Sequence, residues 1–221
     1  MEWDGVYPWM AFLYNFDRKN DLGIDVMDLD LPDECKPKTT SSTTKTSSTQ
    51  TTKDLTGSQS ICGGSVINPR YILTAAHCVA CRTIMDTAVV LGENIVKVNM
   101  ETNFQILSKI LVFPKYKRGL MLDLENNPDI ALLKLEFALN YGPKINAICL
   151  PSNPSSLYEN ETMTIAGWGV TNNLKTSDKL MEVDVPVYPN KDCKGFYGYE
   201  FLKRRVYTYS VQWHYSLIRL N

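Results

Sequence analysis

Cys62-Gly63-Gly64-Ser65-Val66-Ile67-Asn68-Pro69-Arg70-Tyr71-Ile72-Leu73-Thr74-Ala75-Ala76-His77-Cys78 is the stretch that decides the fold. Two cysteines bracket a hairpin-like pair of short apolar runs, and a histidine sits beside the second cysteine. A short helical turn is expected at Ala75-Ala76-His77-Cys78. A disulfide between Cys62 and Cys78 would close a loop of about 17 residues and, through the entropy removed from the open chain, stabilise by roughly 3 kcal/mol. It would also fix the backbone under His77. A general base needs that rigidity, because its ring must hold hydrogen-bond geometry to a nucleophile.

Outward from this stretch the same cadence continues. Tyr7-Pro8-Trp9-Met10-Ala11-Phe12-Leu13-Tyr14 reads as a turn followed by an apolar strand. Further short strands are expected at Ser65 to Ile67, Tyr71 to Leu73, Ala88 to Leu91, Gln105 to Phe113, Ile130 to Leu135 and Val183 to Val187. Many short strands with few helical patterns imply an all-β sandwich or barrel. No repeat of solenoid period is visible. Residues 36–59 interrupt the cadence with a Ser/Thr-rich insertion around Thr39 to Thr52, a tract made almost wholly of Thr and Ser. It has nothing apolar to bury against the entropy of ordering, so a disordered surface insertion is expected.

The bulk properties narrow the function. A chain of 221 residues with 44% hydrophobic residues can build one large domain or two small barrels. Its net charge of −1 argues against nucleic acid or an anionic membrane as a main partner, since both call for a basic surface. No apolar run is long enough to span a bilayer. The six cysteines, Cys35, Cys62, Cys78, Cys81, Cys149 and Cys193, are scattered rather than gathered in two ligand pairs. That suits disulfides in an oxidising compartment better than a metal site. Cys78-Val79-Ala80-Cys81 spells the spacing of a redox or zinc site, but a second ligand pair is lacking. Cys35 is the leftover candidate to bond Cys81. Neither a metal nor a cofactor is expected. Met1-Glu2-Trp3-Asp4 is acidic and leads into no signal-peptide core, so an incomplete N-terminus is expected.

The Cys62 to Cys78 segment resembles the histidine loop of the chymotrypsin/trypsin family of serine endopeptidases. Asn127-Pro128-Asp129-Ile130-Ala131-Leu132-Leu133-Lys134-Leu135 resembles that family's aspartate motif, in the family's chain order. The resemblance implies that His77 is the general base and Asp129 the carboxylate that orients and stabilises its imidazolium. Because Asp129 opens an apolar strand, its carboxylate is expected to be largely buried and to need a partner. Tyr7 to Ala11, Leu91-Gly92-Glu93, Ile106 to Tyr116, Ile148-Cys149-Leu150-Pro151, Ala166-Gly167-Trp168-Gly169 and Leu180 to Cys193 resemble later landmarks of the family in order. The cysteines around the histidine loop are most similar to those of arthropod clip-type or related secreted proteases. The implied fold is all-β, a chymotrypsin-like double β-barrel with the first barrel nearly complete and the second incomplete. The implied domain runs over residues 5–200, with 36–59 as the insertion and 201–221 as a non-family tail.

The departures matter as much. The family's Ile-Val-Gly-Gly start would fall before Met1. Its Gly-Asp-Ser-Gly-Gly nucleophile motif is not found: after Asp129 the serines are Ser152, Ser155, Ser156, Ser177, Ser210 and Ser216, none flanked by glycines. The family's oxyanion hole and specificity-pocket walls belong to the same stretch. In the family Cys193 pairs with a cysteine of that stretch and Cys149 often with a pro-segment. The expectation is an extracellular serine-type endopeptidase family member, truncated and inactive as written, whose full-length relatives cut protein or peptide substrates. The alternative is a non-catalytic homologue that binds partners in a proteolytic cascade. An unfinished second barrel would expose strand edges and favour aggregation. Asn160-Glu161-Thr162 is a glycosylation acceptor triplet in what reads as a surface loop.

Overall fold

The computed structural model describes residues 7–16, 35, 61–95, 104–118, 127–153, 156–171 and 175–189, and the backbone of 207–208 and 217–218. The Thr/Ser tract at 36–59 lies outside the described residues, as do Cys193 and most of the 201–221 tail.

The structure is all-β. Strands β1 (Met10–Asn15), β2 (Ile61–Asn68), β3 (Tyr71–Thr74), β4 (Thr87–Leu91), β5 (Leu107–Val112) and β6 (Ala131–Leu135) form one sheet in the order β4-β1-β2-β3-β6-β5. A bridge between Val89 and Gln105 ties β4 to the residues just before β5. The two ends of the sheet therefore meet and the sheet curls on itself. The single helix among the described residues, α1 (Ala76–Val79), follows β3 directly. A second sheet contains β7 (Thr162–Gly167), β8 (Met181–Tyr188), β9 (Tyr207–Thr208) and β10 (Leu217–Ile218) in the order β10-β7-β8-β9.

Why β1 reads as an unbroken apolar run is now visible. Ala11 and Leu13 point into the first sheet's core with Val66, Ile72, Val79, Val89, Leu133 and Leu135. The alternate residues Met10, Phe12 and Tyr14 face the other way and pack with Val90, Ala166, Trp168 and Leu180. Successive side chains on a strand point to opposite faces, so a strand covered on both faces loses the apolar–polar alternation. Phe12 meets Trp168 edge to face with ring centroids 5.5 Å apart. The indole N–H of Trp168 donates to the Asn94 carbonyl at 3.3 Å, and the Leu180 N–H donates to the same carbonyl at 2.7 Å. The Tyr7 hydroxyl donates to Glu182 Oε2. These contacts lock β1 and the end of β4 onto the β7–β8 hairpin.

Gly64 stands where strands crowd. A Cβ there would lie 2.7 Å from Ile72 Cγ2 and 3.0 Å from Leu13 Cδ1. Only a residue without Cβ lets β1, β2 and β3 approach this closely.

The open edges expected of an unfinished second barrel are partly covered. β10 pairs with β7 through Leu217–Ala166 and Ile218–Ile165, and β9 pairs with β8 through Thr208–Val187 and Tyr207–Tyr188. Each flank of the β7–β8 hairpin thus has a two-residue strand beside part of it.

Candidate active site

His77 stands on α1, whose other residues Ala76, Cys78 and Val79 are buried. Three anchors hold this turn. The Cys62–Cys78 disulfide, with Cα atoms 6.2 Å apart, pins it to β2. The Asn15 side-chain amide donates to the Cys78 carbonyl at 3.3 Å, tying it to β1. Thr74, which ends β3, donates its hydroxyl to the Gly63 carbonyl at 2.8 Å. The imidazole is left projecting from a fixed base.

Asp129 lies just before β6, on a connection held at both ends. Phe113 N–H donates to the Ile130 carbonyl at 3.1 Å, and Ile130 N–H to the Pro128 carbonyl at 3.0 Å. Upstream, buried Asn127 donates its amide to the Lys117 carbonyl at 2.9 Å while its Oδ1 accepts from the Lys117 N–H. This two-bond clamp imitates a strand pairing and closes the loop base next to Asp129. Asn127 heads the aspartate motif in the sequence, but its pairing with Lys117 does not show there. Nothing in an isolated asparagine signals a partner ten residues away.

The two halves meet. Asp129 Oδ2 lies 2.6 Å from His77 Nδ1, and Oδ1 accepts the His77 backbone N–H at 2.8 Å. A carboxylate can only accept, so it selects the imidazole tautomer with the proton on Nδ1. That leaves the lone pair on Nε2 for a proton from another group. Nε2 lies 3.4 Å from the Cys78 sulfur, which is half of a disulfide and holds no proton to give.

The expectation that Asp129 is largely buried, drawn from its place before an apolar strand, is not met. The Asp129 side chain is 35% exposed and that of His77 40%. The strand proper begins two residues later, so the carboxylate projects from the strand end and not from within the core. Tyr116 lies close enough to feel it: burial first, and then the Asp129 charge, raise the phenol above its ordinary value near 10, with Arg118 opposing.

The second disulfide joins Cys35 to Cys81, Cα atoms 5.3 Å apart. Cys78 and Cys81 are therefore committed to different partners, and the C-x-x-C spacing offers no thiolate pair. Cys62, His77 and Cys78 bring potential ligand atoms within 4.8 Å of one another, but both sulfurs are bonded to each other. Cys149 is a free, exposed thiol among the described residues. Asn160 lies on an exposed turn before β7.

A curled all-β sheet packed on a second sheet, presenting an aspartate-held histidine over a disulfide, defines a scaffold of the chymotrypsin-like protease class. The sequence matches the Trypsin family over residues 36–214, most of the chain, and the protein belongs to that family. It is 37% identical over 157 residues to the CLIP domain-containing serine protease B4 of Anopheles gambiae, covering 62% of this chain and 41% of that protein. It is 34% identical over 143 residues to venom serine protease 34 of Apis mellifera, covering 62% and 35%. The chain thus spans less than half the length of these two relatives. Among solved structures it is similar to one described as "Structure of GrC", with a TM-score of 0.58, 21% identity, and coverage of 88% of this chain and 66% of the other. That likeness concerns the fold.

Proposed function

We propose that the protein is a serine-type endopeptidase homologue in which His77 is the general base and Asp129 its orienting carboxylate. The observation that carries this reading is the double grip of Asp129 on His77, through ring and backbone together. In this chemistry the base takes the proton of a serine hydroxyl as the oxygen attacks a peptide carbonyl, then returns it to the leaving amine. Asp129 stabilises the imidazolium formed between those two transfers. Protein or peptide chains are the substrates of the whole enzyme, and other members of a proteolytic cascade are its partners. Two disulfides among the described residues and relatives that include a venom protease support an extracellular setting.

Within these 221 residues no serine carries the glycine-flanked motif, so the chain as written forms no acyl-enzyme. A fluorophosphonate probe tests this. The expected result is no labelling above a heat-denatured control, and labelling above it would show that a serine of this chain is an activated nucleophile, overturning the inactivity of the chain as written but not the roles of His77 and Asp129. The same lack of a nucleophile motif favours a second reading, a non-catalytic homologue that binds cascade proteins. The transcript beyond the Cys193 codon separates the two. A downstream in-frame Gly-Asp-Ser-Gly-Gly supports the endopeptidase, and a stop after Asn221 supports the homologue.

A further inference from the structure

Asn160-Glu161-Thr162 is the one Asn-X-Ser/Thr triplet in the sequence with a residue other than proline in the middle. Asn153-Pro154-Ser155 has the same outer residues, but proline there forbids the acceptor conformation.

The structure presents this triplet in a particular way. Residues 159–162 are all exposed. The backbone is fixed: Asn160 N–H donates to the Val187 carbonyl at 3.0 Å, Val187 N–H to Glu161 at 2.8 Å, and Glu161 N–H to Tyr158 at 3.1 Å. Thr162 opens β7 opposite Pro186. The side chains of Asn160 and Thr162, by contrast, make no hydrogen bond among the described residues. Asn160 has φ +65°, in the left-handed region that asparagine tolerates better than most residues. Backbone conformation alone accounts for an asparagine at 160. It does not by itself call for a threonine two residues on, whose exposed hydroxyl bonds to none of the described residues.

The position also leaves room. The other end of β7, at Ala166 and Trp168, is the part packed against the first sheet. At about 3.3 Å per residue, Thr162 lies roughly 13 Å along the strand from Ala166, and Asn160 sits in the turn beyond it. A bulky hydrophilic group on Asn160 would extend into solvent from the outer end of the hairpin without separating the two sheets.

We infer that Asn160 carries an N-linked oligosaccharide. The donor is a lipid-pyrophosphate-linked oligosaccharide. Asn160 Nδ2 bonds to the first sugar carbon and loses one proton. The bond from that carbon to the pyrophosphate oxygen breaks, and the lipid pyrophosphate leaves with the electron pair. No oxidation occurs. The inference rests on the extracellular setting proposed above, because the transfer takes place in the secretory lumen.

The test is translation of the full chain behind a cleavable secretory leader with microsomal membranes, reading only leader-cleaved, protease-protected product. That selection places the chain in the lumen whatever its native address. The expected result is a mobility shift removed by peptide N-glycosidase, with residue 160 converted to aspartate and marked by heavy-oxygen water in the mass spectrum. Thr162→Val, which keeps Asn160 and its turn, abolishes the shift, and Thr162→Ser retains it. An unshifted protected wild-type chain, or a shift that survives in Thr162→Val, overturns the inference. The extracellular reading fails separately, if the native protein is found only inside its cells.

Discussion

Asp129 and His77, 52 residues apart in the chain, are joined by both oxygens of one carboxylate, one on the ring Nδ1 and one on the backbone N–H. A single contact would let the imidazole swing about its side-chain torsions. Two contacts to one residue fix the ring relative to its own backbone, and the disulfide and α1 fix that backbone to the sheet.

Replacing Asp129 by asparagine removes the fixed acceptor at Nδ1, since an amide can equally present its NH2 group. The expected outcome is loss of the Nδ1-proton tautomer in ring-nitrogen NMR. The chain has two histidines, so His214 serves as the internal reference. In a complete enzyme the same change is expected to lower kcat by about 10⁴-fold, the cost of the wrong tautomer. An unchanged ring spectrum would show that Asp129 does not set the tautomer.

Removing the Cys62–Cys78 bond by the double change to alanine frees a loop of 16 residues' separation. A loss of about 3 kcal/mol is expected in denaturant unfolding. The anchors Asn15 and Thr74 remain, so the fold survives with a more mobile His77. A midpoint equal to that of the wild type would show that the bond adds nothing to the closed loop.

Gly64→Ala places a methyl within 2.7 Å of Ile72 and forces β1, β2 and β3 apart. Overpacking of this kind is expected to cost roughly 1–3 kcal/mol, read as a lower Tm. Ala substituted at exposed Gly142, which has nothing nearby, is the control and should change little.

Tyr116 has a folded pKa above its unfolded value, from burial and then from the Asp129 charge. Its folded state holds the phenol proton more tightly, so this contribution is complete below about pH 10 and is lost as pH rises through the folded value. Asp129→Asn removes one cause and should shift the Tyr116 transition downward. The Tyr116→Phe difference spectrum isolates that transition from the other tyrosines. An upward shift or none would show that the carboxylate does not act on the phenol.

Much of this was legible in the chain, for local reasons. His77 and its bracketing cysteines lie within one short stretch, and Asp129 heads a recognisable strand, so motif and chain order were enough to pair them. The apolar run of β1 was legible as a strand, but not as one covered on both sides. Its second covering, from Trp168 and Leu180, arrives from more than 150 residues downstream. Asp129's exposure escaped for a related reason. Burial is set by what distant segments place around a group, and a pattern of neighbours in sequence says little about it. The Asn127 clamp, across ten residues, and the Tyr7–Glu182 bond, across 175, are polar pairings with no periodicity to reveal them.

β1 carries one further consequence. Its odd-numbered side chains belong to one core and its even-numbered ones to the other, so the two sheets share a common wall. A subdomain that melts alone needs a boundary across which few contacts are lost. Among the described residues β1 offers no such boundary: unravelling either sheet strips one face of the same strand. Leu13→Ala and Phe12→Ala, which touch different cores, should therefore lower a single cooperative transition and not split it in two. The strand makes the two halves one thermodynamic unit, and a change at any of its positions must be absorbed by the one core that side chain enters.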